Sequence, residues 1–148
     1  MENLTKETVI IVHGTWAAPK PDHLSWYQIP EKEQDKPNFV SRLNNALEKR
    51  GSSARCWAHC NENAELFTWS GENAWIDRTR AAADLVTYIA KLPEIGWRCH
   101  IVAHSHGGNV ASEAFRKITS ANLKEQPAKI VTLGTPVYGC YVSDLWNA

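Results

Sequence analysis

The stretch Ile101-Val102-Ala103-His104-Ser105-His106-Gly107-Gly108-Asn109 decides how the rest of the chain is read. It sets a serine between an apolar run of strand character and a segment of helical spacing. Small residues stand two places before the serine and two places after it. A nucleophilic serine on a sharp strand-to-helix turn needs that spacing. The turn strains the serine backbone and brings its neighbours so close that bulk is excluded. Ala103 and Gly107 leave the room, alanine costing one methyl group relative to glycine. The serine then stands at a helix N-terminus, where the dipole and free backbone N–H groups favour a developing negative charge. The N–H of His106 is one expected donor. A plain turn in which Ser105 only caps the helix accounts for the same letters.

Upstream, Val9-Ile10-Ile11-Val12 is a continuous β-branched run closed by His13-Gly14. Such a run suits a strand buried on both faces of a parallel sheet. A glycine after it lets the backbone approach a ligand, and the N–H of Thr15 or Trp16 is the expected second donor. Residues 15–37 carry Pro19, Pro21, Pro30 and Pro37, and long connections inside compact domains are usually functional. Trp16, Trp26 and Tyr27 on this connection are expected to line or cover an apolar substrate site. Packing down as core filler is the plainer reading, as it is for the chain's seven tryptophans generally.

The remaining elements alternate. A helix is predicted over 38–50 from Phe39, Val40, Leu43 and Leu47, stopped by Gly51. A strand is predicted over 53–58, then a brief strand or extended loop at 67–69. A helix follows over 74–90, with Trp75, Arg78, Ala82, Leu85 and Ile89 on one face. The mixed charges Asp77, Arg78, Arg80 and Asp84 on that helix read as a solvated surface. A strand at 100–103, a helix over 106–118 and a strand at 129–133 complete the series, broken by Gly134-Thr135-Pro136. Strands alternating with helices imply an α/β fold with a parallel sheet and right-handed crossovers. The 148 residues are expected to form one domain.

Composition narrows the function. A formal net charge of zero supplies no long-range field to collect nucleic acid, so a nucleic-acid partner is not expected. No apolar run of about 18 residues is present, so no transmembrane segment is expected. Residues 1–8 lack the apolar core of a signal peptide, and a cytoplasmic location is the expectation. Cys56, Cys60, Cys99 and Cys140 read as free thiols. With His59 and His100 nearby they match no standard zinc spacing, so no metal is expected.

Together these segments resemble the α/β-hydrolase superfamily, in its lipase- and esterase-like members. The resemblance rests on residues 9–15, Phe67-Thr68-Trp69-Ser70-Gly71, residues 102–108 and Leu133-Gly134-Thr135-Pro136. It implies a three-layer α/β/α arrangement whose strands are the family's third to sixth, side by side in the order 4-3-5-6. It implies hydrolysis of a small-molecule ester or lipid through an acyl-serine on Ser105. Gly14, Thr15, Trp16 and His106 would frame the oxyanion site, with no metal or organic cofactor.

In that family an acid and a histidine follow the serine. After Ser105 the sole histidine is its neighbour His106, and the sole aspartate is Asp144. Three expectations stay open: the N-terminal part of a longer enzyme, one half of a split enzyme, or a fold that binds without cutting. His13 and His23 are the remaining candidates for a base. An apolar fourth strand with an open edge is expected to pair with a second copy or a partner chain. The alternative function is a non-catalytic binding protein on the same fold.

Overall fold

A computed structural model describes residues 6–21, 25–28, 38–56, 66–92, 97–121 and 127–137. Among them run β1 (Lys6–Val12), α1 (Phe39–Lys49), β2 (Arg55–Cys56), α2 (Trp75–Ala90), β3 (Trp97–His104), α3 (Gly107–Ser120) and β4 (Ile130–Leu133). All four strands are parallel, in the order β2-β1-β3-β4. β1 pairs with β3 along its whole length, from Lys6 opposite Trp97 to Val12 opposite Ala103. The sheet is therefore an α/β sheet, as the alternation of strands and helices predicts.

The run Val9–Val12 is buried on both faces because successive side chains alternate across the sheet. Ile10 and Val12 enter one core with Leu85 and Ile89 of α2 and Val110, Ala114 and Ile118 of α3. Val9 and Ile11 enter a second core with Val40 of α1, Tyr27 and Cys56. Thus α1 covers one face, and α2 with α3 the other. Each fully buried Leu or Ile contributes about 1.5–3 kcal/mol relative to exposure.

Several boundaries differ from the sequence reading. β1 and β3 are longer than their apolar runs, because ladder pairing continues through Lys6, Glu7, Trp97 and Arg98 at one end. β2 pairs only over Arg55–Cys56, and residues 57–58 lie outside the described set. Of the two forms expected for 67–69 the extended loop is the one found, with Phe67 and Trp69 buried and Thr68 exposed. On α2 the buried stripe is Ala81, Ala82, Leu85 and Ile89, while Trp75 is 72% exposed. The first turn of α2 projects past the core, which removes Trp75 and Arg78 from the apolar face. Among the described residues no helix is long and apolar enough to cross a membrane.

Candidate active site

Ser105 sits between the last residue of β3 and the start of α3, with a φ of 51°. That left-handed conformation costs a side-chain-bearing residue roughly 1–2 kcal/mol, so the surroundings must impose it. They do so from both sides of the turn. The Ser105 N–H donates to the Leu133 carbonyl at 2.9 Å, and the Ser105 carbonyl accepts from the Gly108 N–H at 2.9 Å. A Cβ on Gly107 would stand 2.5 Å from the His13 carbonyl oxygen and closer still to that of Val12. A Cβ on Gly14 would stand 2.8 Å from the Ser105 Cβ. Gly107 therefore lets α3 seat on the end of β1, and Gly14 lets the β1 loop approach the serine. The N-cap of α3 is His106, which makes no side-chain cap bond, and no acidic residue occupies the first turn. The Gly108 and Asn109 N–H groups bond back to the Ser105 and His106 carbonyls, which leaves the N–H groups of His106 and Gly107 at the head of the helix.

The β1 loop is held by a buried imidazole. Trp69 N–H donates to His13 Nε2 at 3.2 Å, so that nitrogen carries a lone pair. Nδ1 must then carry the hydrogen, which it donates to the Gly14 carbonyl at 2.9 Å. Trp69 Nε1–H donates to the His13 carbonyl at 2.8 Å. The ring is stacked between Tyr27, 5.0 Å away, and Trp69, 5.6 Å away. Burial holds its pKa below the ordinary histidine value. His13 is thus a neutral structural group with both nitrogens committed. It does not serve as the base for Ser105, which corrects that expectation.

Trp16 also departs from its expected role. Its φ is 57°, and its N–H donates to the Gly71 carbonyl at 2.8 Å. The Trp16 amide is therefore unavailable to an oxyanion, and of the two expected donors Thr15 N–H remains. The Trp16 side chain is 73% exposed. Tyr27 is 1% exposed, and its hydroxyl donates to the Ala17 carbonyl at 2.7 Å. It is a core residue under the loop and not an open wall of a substrate site. Trp26 lies between, edge-on to His104 at 5.4 Å and to Phe39 at 4.9 Å. His23, Cys60, Cys140 and Asp144 fall outside the described residues.

The sequence reading missed Asn109. Its Nδ2–H donates to the Pro136 carbonyl at 3.1 Å, which turns Oδ1 toward His106 Nδ1 at 2.9 Å. A carbonyl can only accept, so this arrangement fixes the amide and makes His106 Nδ1 the donor. One turn of α3 separates the two residues, and that spacing was the available signal. The Gly134-Thr135-Pro136 turn completes the support: a Cβ on Gly108 would collide with the Thr135 side chain. The Thr135 hydroxyl is itself buried without a partner among the described residues.

Elsewhere, Cys56 and Cys99 are buried and in no disulfide, and burial pushes Cys99 up to about 11. His100 lies low on β3, with Nε2 3.5 Å from Glu7, away from Ser105. Among the described residues no group of three His, Cys, Asp or Glu is placed to hold a metal. Compared with family models, with curated proteins and with solved structures, the chain matches none.

Proposed function

We propose that this chain is a serine hydrolase acting on carboxylic esters through an acyl-serine at Ser105. The observation that carries the reading is the left-handed backbone of Ser105 at the β3–α3 junction, locked by a glycine with no space for a Cβ. A residue that only linked a strand to a helix would have no need of that strain. The order β2-β1-β3-β4 supports the reading, since it is the order 4-3-5-6 that the α/β-hydrolase resemblance requires.

In the proposed reaction the Ser105 hydroxyl attacks the ester carbonyl while its proton passes to a base. The N–H groups of His106 and Thr15 hold the tetrahedral oxyanion. Collapse expels the alcohol, protonated by the same base, and leaves the acyl-serine, which water then hydrolyses. This chemistry needs neither metal nor organic cofactor. A small-molecule ester or a lipid is the substrate class, and the base lies outside the described residues.

A second reading, a non-catalytic binding protein on this fold, is favoured by one observation. Both nitrogens of His13 are committed, and His106 Nδ1 is tied to Asn109. A fluorophosphonate probe separates the two. Covalent labelling located at Ser105 by mass spectrometry, and lost in Ser105→Ala, is the expected result. A folded chain that takes up no label sustains the second reading instead.

A further inference from the structure

Beside the serine turn, a cleft of about 330 Å³ opens between the first turn of α2 and the first half of α3. Its walls include Trp75 and Arg78 from α2, and His106, Asn109, Glu113 and Arg116 from α3. His106, the residue next to Ser105 in the chain, is one of the cleft's lining residues. The charges in it are unequal in their commitments. Glu113 accepts from Arg116 Nε and Nη2 at 2.9 and 2.7 Å, and Lys117 Nζ lies 3.6 Å from the same carboxylate. The Arg116 hydrogen bonds hold the Glu113 carboxyl below the usual carboxylate range, so it stays charged and is neutralised locally. Arg78 has no such partner. Its Nη1 donates to the Asn73 amide oxygen at 3.1 Å, and among the described residues no carboxylate stands within ion-pair distance.

A guanidinium that lines a cleft and has, among the described residues, no carboxylate within ion-pair distance offers bidentate donors to a planar or tetrahedral anion. Trp75, 72% exposed, gives that cleft an apolar wall against which a short carbon chain can lie. His106 cannot swing across the cleft mouth, because Asn109 and the Pro136 carbonyl hold its ring. We infer that this cleft is a subsite for an anionic group, carboxylate or phosphate, carried by the substrate, with Arg78 as the residue that recognises it. The inference rests on the hydrolase reading only in calling that substrate an ester. Arg78 acts here as a specificity-determining residue and touches no reacting atom.

The test uses the full chain with Ser105→Ala, so that binding is read without turnover. It is titrated with monomethyl glutarate, an ester bearing a carboxylate, and with neutral dimethyl glutarate. A third titration uses methyl phosphate. Binding is followed by tryptophan fluorescence, with Trp75→Phe identifying the signal from the cleft wall. Saturable binding of one or both anions, about tenfold tighter than the neutral diester, is expected. Whichever anion binds tighter identifies the group as carboxylate or phosphate. Arg78→Gln should erase the preference, and Arg78→Lys should keep part of it. Equal affinity for anion and diester, absence of saturable binding, or a preference that survives Arg78→Gln would overturn the inference. Because the nucleophile is absent from these titrations, their outcome is independent of whether Ser105 labels in the parent chain.

Discussion

Ser105 holds a conformation that glycine would adopt without strain, and the side chain is the only thing gained by keeping serine there. Ser105→Gly should therefore raise unfolding stability by about 1 kcal/mol in urea titrations while abolishing fluorophosphonate labelling. Gly107 is the opposite case. Its missing Cβ is occupied by the backbone carbonyls of β1, which no side-chain rotation relieves. Gly107→Ala should cost about 2–3 kcal/mol, read as a lowered urea midpoint, with labelling lost as α3 is displaced. His13 predicts a pH dependence. Burial keeps it neutral in the folded chain, whereas the unfolded chain protonates it near its ordinary value of about 6.5. Below that pH the unfolded state binds more protons. The His13 contribution is thus complete above about pH 6.5 and is lost as pH falls toward the depressed folded value. His13→Phe should flatten this part of the stability–pH curve, though it also strands the Trp69 N–H. The need for small residues at 103 and 107 was legible in the sequence, because steric demands of a tight turn are local; Gly14 reads there as room for a ligand, whereas in the structure it is Ser105 that lies against it. The commitment of His13 was not, since its partner Trp69 stands 56 residues away.

At the level of elements, α1 and α3 begin in contrasting ways. α1 opens with a capping box: Ser41 N–H donates to Asn38 Oδ1 at 2.9 Å, and Asn38 N–H donates to Ser41 Oγ at 3.0 Å. α3 has no side-chain cap, and neither has α2, whose N-cap is Ala74; in α3 the Gly108 and Asn109 N–H groups bond to the Ser105 and His106 carbonyls instead. Asn38→Ala should lower stability by about 1 kcal/mol in thermal or urea unfolding and leave Ser105 labelling unchanged. Helices were legible wherever apolar spacing faced the sheet, as with Leu85, Ile89, Val110 and Ile118. The first turn of α2 was misread for a physical reason. Trp75 has the right spacing for the buried stripe, but the core beneath that stripe ends before reaching it. Periodicity gives the direction of a side chain and not whether anything lies in that direction.

For the molecule as a whole, strand and helix alternation made the parallel sheet legible, and the handedness of crossovers limits how such strands can be ordered. The exposed side of β4 raises a separate expectation. Among the described residues β4 pairs with β3 alone, and Val131 and Leu133 are 48% and 37% exposed. An apolar edge of this kind invites strand pairing with another chain. The chain should sediment as a dimer at micromolar concentration, and Val131→Lys should shift it to monomer; a parent chain that is already monomeric sinks this expectation.

The pairing of β1 with β3 bears on how the chain is made. β1 occupies a central position in the sheet, yet its residues 6–12 leave the ribosome long before residues 97–103 that flank them. At roughly 5–20 residues per second of translation, the wait is on the order of 5–20 s. For that interval the β-branched run Val9–Val12 lacks the whole of its β3-side row of backbone partners, while β2 meets β1 only at Thr8 and Val9. The segment destined for the centre of the native sheet is thus open to unintended strand pairing during synthesis.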